Sequence, residues 1–249
     1  MNVSLHNPSG NELVDIGFWC FVPMSTPDQT LAQLSTSIPY LLREDALGQQ
    51  VFSTRIDRLA PYGSRSLALS LTVVKTAGSC PVAGEMAPWL GPEQFIESDA
   101  AEIVLLARKL HRGNDVETVR AAYQWVMSEL QYEGFVAQDR GALYAARTRT
   151  GDCTEYAALL VALLRSNGIP ARLLGGFVVD QDALLRSVDY HNWAEVCIDA
   201  RWHIVDPQKG RWMPTSLNYV PFEIYRERHI NEMEGAHRFK VDADVQVVL

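Results

Sequence analysis

The stretch RTGDCTEYAALLVALLRSNGIPAR, residues 149–172, decides how the rest of the chain is read. Asp152 and Glu155 have the spacing of an N-cap side chain and the N3 residue that answers it, so the pattern predicts a helix with Cys153 at its first position. From Ala157 to Leu164 every side chain is apolar, and a helix apolar on all sides is one that its domain surrounds. Asn167-Gly168 ends it, and Pro170 prevents its return. A helix start offers unpaired N–H groups and the positive end of the dipole. A thiol there is expected to be pushed toward thiolate, the nucleophilic form.

Downstream, LLGGFVVD (residues 173–180) reads as a strand in which Gly175-Gly176 permits a bend or a close backbone approach. The run HNWAEVCIDARWHIVDP (residues 191–207) reads as a tight antiparallel hairpin turning near Asp199-Ala200. The turn lacks an Asn-Gly signal, which leaves its type open. A turn of even length puts Asp206 opposite Trp193, and alternate residues on a strand share a face. His191 and Asp206 then become diagonal neighbours within hydrogen-bonding reach, whereas an odd-length turn separates them. The same parity sends His203 to the opposite face, as a structural or exposed residue. Cys197 shares the His191 face but lies six residues on, ~20 Å at strand rise, and reads as a packed thiol. Glu195 reads as an ion-pair partner.

Upstream, residues 12–76 carry mostly strand signals, with a short helix or loop expected from Thr30 to Leu42. Residues 78–92 are dense in Pro and Gly and read as a connector. This gives a β-rich N-terminal unit over 1–92 and a second unit over 93–249. Helices are expected over 98–111, with Ser98 or Asp99 as cap and Gly113 as stop, and over 114–130, with Asn114 and Glu117 as cap and N3 pair. A short helix is expected from Leu143 and a final strand near 241–248.

Composition narrows the function classes. The 249 residues are 47% hydrophobic and 21% charged, which fits a folded globular protein. The net charge of −8, without a basic run, disfavours nucleic acid and anionic membrane surfaces as partners. No segment approaches a membrane span. The opening MNVSLHNPSGNELVD lacks the basic and apolar regions of a secretory signal, so a cytoplasmic location is expected. Cys20, Cys80, Cys153 and Cys197 are scattered without a CxxC pair, which argues against both a disulfide framework and a zinc ribbon. A zinc site from Cys153, His191, Cys197 and Asp206 would match no usual spacing.

A thiol at a helix start and a His–Asp pair on a facing hairpin make the constellation that nucleophilic acyl transfer requires. His191 would take the thiol proton and return it to the leaving amine, and Asp206 would fix the imidazole tautomer. The oxyanion needs donors, of which the Cys153 backbone N–H is one. For a side-chain donor, Gln138, Gln131, Trp125 and Tyr132 all lie upstream, and the sequence does not choose among them. Trp125 and Tyr132 also read as core aromatics.

These motifs, GDCTEYAALLVALLRSNGIPAR followed by YHNWAEVCIDARWHIVDP, resemble the transglutaminase-like superfamily, a circularly rearranged relative of papain-type proteases. The resemblance covers about residues 98–207. It rests on G-x-C at a buried helix, Ile-Pro-Ala-Arg after it, H-x-W-x-E on one strand and W-x-x-x-D-P on the next. It implies Cys153 as nucleophile, His191 as base and Asp206 as orienting acid. It also implies an α+β fold with the Cys helix packed on an antiparallel sheet, and neither metal nor organic cofactor. The implied substrates are a protein, peptide or small acyl donor, with water or an amine resolving the thioester. An amide synthase using carrier-bound donors and a non-catalytic binding module are the other roles such a fold would serve. One departure stands out: Asn192 occupies the place between His and Trp where a small or apolar residue is usual.

Overall fold

Alternating apolar and polar side chains shape the first part of the chain into strands: β1 (Asn2–His6), β2 (Leu13–Val22), β3 (Gln29–Ser35), β4 (Leu41–Glu44), β5 (Gln50–Leu59), β6 (Ser64–Ala68) and β7 (Ser70–Lys75). The computed structural model describes residues 1–76, 80–81, 86–136, 138–227 and 231–248, so the expected connector lies partly outside the described residues. Val3, Leu5, Ile16, Phe18, Phe52 and Leu67 bury together between the sheets of this unit. The stretch from Thr30 to Leu42, expected as helix or loop, instead holds β3 and the start of β4. Pairing with β7 and β5 satisfies its backbone, while Leu31 and Leu34 pack against the Phe18 core, and that tertiary gain outweighs local preference.

The second part of the chain begins with β8 (Cys80–Pro81) and alternates helices with short strands. These are α1 (Ala101–Leu110), α2 (Asp115–Glu129), β9 (Gln131–Tyr132), α3 (Gly141–Thr148), β10 (Thr150–Gly151) and α4 (Cys153–Ser166). Asn114 caps α2 by accepting the Glu117 amide at 2.9 Å, as its spacing predicts. At α1 the expected cap is corrected. The N-cap is Ala100 without a side-chain bond, because the chain enters the helix through a bond from the Ala100 amide to the Glu97 carbonyl.

A six-stranded sheet follows, built on β11 (Ala171–Val178), β12 (Tyr190–Ile198), β13 (Arg201–Asp206), β14 (Arg211–Trp212) and β15 (Tyr219–Ile224), in the order β14-β13-β12-β11-β15 with β8 on β13. α4 lies on one face, where Leu159, Leu160, Leu163 and Leu164 meet Ala171, Leu173, Ala194 and Val196. Each fully buried leucine contributes about 1.5–3 kcal/mol of transfer free energy. The other face is covered by Met24, Trp89, Trp193, Trp202 and Tyr219. At the β11–β15 pairing the register shifts between Gly175 and Gly176. A Cβ on Gly176 would stand 2.2 Å from the Val220 carbonyl, so the close approach there needs glycine.

The last strands, β16 (Phe239–Val241) and β17 (Gln246–Val248), pair with β2 and β1. The polypeptide thus passes from the β-rich unit into the helical core and back again. The return segment crosses close to the six-stranded sheet.

The β12–β13 turn through Asp199 and Ala200 takes φ of +50° and +56°, the left-handed pair of a type I′ hairpin turn. Alanine in that region costs about 1 kcal/mol. Ala200→Gly is therefore expected to raise the melting temperature by roughly 2–4 °C, measured by calorimetry. No rise, or a fall, would contradict the turn assignment.

Candidate active site

α4 starts with the arrangement read from its sequence. Asp152 Oδ1 accepts the Thr154 amide at 2.7 Å, and Glu155 Oε2 accepts the Asp152 amide at 3.0 Å. Glu155 is buried and also takes the Arg140 amide at 2.9 Å and its guanidinium at 3.2 Å. The second Asp152 oxygen accepts the Val136 amide at 3.0 Å, which ties the helix start to the lip at residues 133–136. Cys153 is held in place by bonds on both sides of it.

The hairpin pairs Ala194 with Val205 and Ile198 with Arg201, the even-length register. His191 Nε2 lies 2.8 Å from Asp206 Oδ2. Both residues are buried, Asp206 completely. Tyr219 Oη donates to the same carboxylate oxygen at 2.8 Å, and the Lys209 amide donates to the other at 3.1 Å. With its lone pairs occupied in this way, the carboxylate presents one direction to the imidazole. The Trp193 ring lies 6.2 Å from His191 at 28° and meets Tyr219 edge-on at 5.1 Å. Tyr219 arrives from β15, a separate strand, and nothing in its local pattern points to Asp206.

Asn192 joins the two halves of the site. The Cys153 thiol donates toward Asn192 Oδ1 at 3.6 Å, and Thr154 Oγ1 approaches that oxygen at 3.4 Å. Asn192 Nδ2 donates to the Leu174 carbonyl at 3.3 Å, which fixes the orientation of the amide. The residue next to His191 therefore touches the sulfur. In the sequence Asn192 stood out as a departure, and its contact was the missed signal behind that departure.

Burial first, and the Asp152 carboxylate second, push the Cys153 thiol up to about 12. The Asn192 backbone hydrogen bond and the charge of Arg238 act the other way, while Asp206 adds to the rise. The expected shift toward thiolate is thereby corrected. The helix start favours the anion over its first turn, but the half-buried sulfur loses water and lies beside the N-cap carboxylate. Helix position alone leaves the thiol protonated.

Among the upstream oxyanion candidates, Tyr132 is the one brought beside Cys153. β9 pairs with β10 so that Tyr132 lies opposite Gly151, and its phenol is raised by burial first and then by the charges of Cys153 and Asp152. Trp125 is occupied otherwise: it packs on the helical core and carries the Arg149 guanidinium 4.1 Å from its ring centre. Gln138 lies exposed ahead of α3, and Gln131 is exposed opposite Thr150. Cys197 packs near Trp202 and Trp193, His203 pairs with Val196, and Glu195 binds Arg172 at 2.6 Å. Among the described residues no group of three or more His, Cys, Asp or Glu could hold a metal. A groove of about 1030 Å³ on the N-terminal unit, lined by Trp19, Tyr40, Arg55 and Lys240, contains none of Cys153, His191 and Asp206.

A second polar cluster adjoins the site on the return segment. His237 Nδ1 meets Glu223 Oε1 at 2.8 Å, its Nε2 lies 3.5 Å from Asp139, and its ring stacks on Tyr225 at 4.4 Å. Glu223 also accepts from Tyr190 at 3.3 Å. None of this cluster was legible in the sequence, because it gathers residues 139, 190, 223, 225 and 237 from four separate segments.

An antiparallel sheet carrying a paired histidine and aspartate, packed on a helix that begins with cysteine, defines a transglutaminase-like core. Residues 105–207 match the family model described as the transglutaminase-like superfamily. Kyphoscoliosis peptidase of Homo sapiens is 30% identical over 122 residues, covering 45% of this chain and 18% of that protein. Its Mus musculus counterpart is 30% identical over 106 residues, covering 39% and 16%. The chain thus spans less than a fifth of the length of these curated relatives. A solved structure of a candidate cysteine protease from Cytophaga hutchinsonii aligns with 100% of this chain and 88% of its own, with a TM-score of 0.72 and 19% identity, and shows the same fold. No helix among the described residues is long and apolar enough to cross a membrane.

Burial acts to lower the His237 pKa, but the bond to Glu223 and the charges of Glu223 and Asp139 outweigh it, so the value is raised. A raised histidine stabilises the fold fully below about pH 6.5, and that contribution is lost as pH rises through the raised value. The Ala236 amide, bonded to the Met233 carbonyl at 2.9 Å, is therefore expected to lose exchange protection beyond the intrinsic trend as pH rises above about 6.5 and through the raised value. Hydrogen exchange on the native protein and on His237→Gln measures this. Equal pH dependence in both would contradict it.

Proposed function

We propose that the chain is a cysteine-dependent acyl-transfer enzyme that forms a thioester at Cys153. The observation that carries this is the 2.8 Å His191–Asp206 contact on the strand whose next residue, Asn192, touches the Cys153 sulfur. With Nε2 of His191 turned to Asp206, Nδ1 is the nitrogen left to exchange a proton with the thiol. Because burial keeps the thiol protonated at rest, the nucleophile forms as an ion pair: the proton moves to His191 as the sulfur attacks the carbonyl. Asp206, braced by Tyr219 and the Lys209 amide, stabilises the imidazolium. The tetrahedral oxyanion meets the Cys153 backbone N–H and the Tyr132 hydroxyl. As the intermediate collapses, His191 returns the proton to the leaving amine and the acyl-thioester remains.

The donor is an amide, from a peptide bond or glutaminyl side chain, or a thioester. Water completes a hydrolysis and an amine completes a transamidation. Similarity to a protein named a peptidase makes peptide hydrolysis the first reaction to test. The free thiols of Cys20, Cys153 and Cys197 suit a reducing compartment such as the cytoplasm.

The test incubates the protein with peptide and glutaminyl donors, with and without amines, and follows an acyl adduct on Cys153 by mass spectrometry. Cys153→Ala is expected to abolish adduct and turnover with little change in stability. Asp206→Asn should lower kcat less than loss of either Cys153 or His191, since it disturbs the tautomer without removing a reacting group. Substantial turnover by Cys153→Ala would refute the assignment. Tyr132→Phe is expected to lower kcat by about 10²-fold with KM nearly unchanged, as for a lost oxyanion donor. A change confined to KM would give the phenol a binding role instead.

A further inference from the structure

Arg238 is a cation at the site that the mechanism above leaves unused. Its guanidinium lies 4.2 Å over the Tyr190 ring and 5.6 Å from the Phe135 ring, and Nη1 donates to the Ser187 carbonyl at 3.3 Å. Tyr190 immediately precedes His191. Phe135 sits on the lip that Asp152 fastens to the start of α4, and it is 72% exposed. Arg238 thus spans the histidine-bearing strand on one side and the lip beside the cysteine on the other. Its backbone is pinned as well, since its carbonyl accepts the Phe21 amide at 3.1 Å and its φ is +69°. An arginine held in the left-handed region and stacked between aromatic rings is positioned by the fold.

The site's acids are engaged elsewhere. Asp206 is bonded to His191 and Tyr219, Asp152 to the Thr154 and Val136 amides, Glu223 to His237 and Tyr190, and Asp139 faces His237. Among the described residues Arg238 has no carboxylate within salt-bridge distance. With Nη1 on the Ser187 carbonyl, this half-buried guanidinium keeps its Nε and Nη2 edge for an anion, and a carboxylate fits that edge in bidentate fashion. The field of Arg238 reaches the Cys153 sulfur, so a group held there lies near the reacting carbonyl.

Resting on the acyl-transfer role of Cys153, we infer that Arg238 recognises a carboxylate on the acyl donor and selects acidic peptides over their neutral isosteres. Arg238 acts here as a specificity residue. It takes no part in the proton transfer between Cys153 and His191.

Iodoacetate and iodoacetamide test this without knowledge of the natural substrate. Both alkylate the same thiolate and differ in the carboxylate, so the ratio of their rates at Cys153 cancels the thiolate fraction, which Arg238 also affects. Arg238→Gln is expected to lower the iodoacetate-to-iodoacetamide ratio at least fivefold. Arg238→Lys should stay within about twofold of the native protein, and the native ratio should fall with added salt. Peptide pairs that protect Cys153 from iodoacetamide then locate the carboxylate. Stronger protection by a Glu than a Gln peptide marks a side chain, and stronger protection by a free than an amidated C-terminus marks the chain end. An unchanged ratio in Arg238→Gln, with Cys153 still labelled, overturns this inference alone. Absence of labelling by both reagents overturns the nucleophilic role of Cys153 and this inference with it.

Discussion

The structure depends on one constraint: a helix with no polar face must be surrounded, and its first residue must still reach the surface of the core. α4 meets it by lying on β11 and β12 with α1, α2 and α3 around it, so that Tyr156 to Leu164 are all buried. Its ends are then the points where polar groups have to be satisfied. At the C-terminal end Arg165, buried, bonds the Ala171 and Gly91 carbonyls and Glu93, a cation where the dipole favours one. At the N-terminal end Asp152 and Glu155 exchange bonds with each other's backbone and with the segments that carry Val136 and Arg140. Cys153 sits between these anchors, and its position is as rigid as the helix behind it.

That rigidity carries an electrostatic cost which shapes the chemistry. The packing that fixes the sulfur also removes water from it and sets it beside the Asp152 carboxylate, so the isolated thiolate is disfavoured. A nucleophile in such a place has to be made together with its counter-charge. In the mechanism proposed above that counter-charge is the His191–Asp206 pair, completely enclosed on the Asp206 side and braced by Tyr219. Asn192 keeps the resting thiol in register, since its amide is locked by the Leu174 carbonyl.

Much of this was legible in the primary structure. The cap at Asp152, the apolar run behind it and the stop at Asn167-Gly168 are short-range features with single physical readings, and α4 follows them closely. The hairpin was legible for the same reason: strand parity fixes which residues share a face once the turn length is even, and His191 meets Asp206 accordingly. The segment from Thr30 to Leu42 was misread because its pattern is weak and its pairing partners, β5 and β7, come later in the chain. The division at residue 92 was drawn from the Pro- and Gly-rich stretch of residues 78–92. It contains no information about β16 and β17 returning to β2 and β1.

The sequence by itself determined the helix that carries Cys153, the register that joins His191 to Asp206, and the family these motifs resemble, because each depends on periodicity and spacing within a few turns or strands. Tertiary structure alone decided what surrounds them. It set Tyr132 beside the sulfur and turned Trp125 to Arg149. It brought Tyr219 to Asp206 from another strand, and it carried His237 and Arg238 back to the site on the return segment. It also raised the thiol that helix position was expected to lower. Charge, burial and solvent access are sums over groups distant in the chain, and no local pattern encodes them.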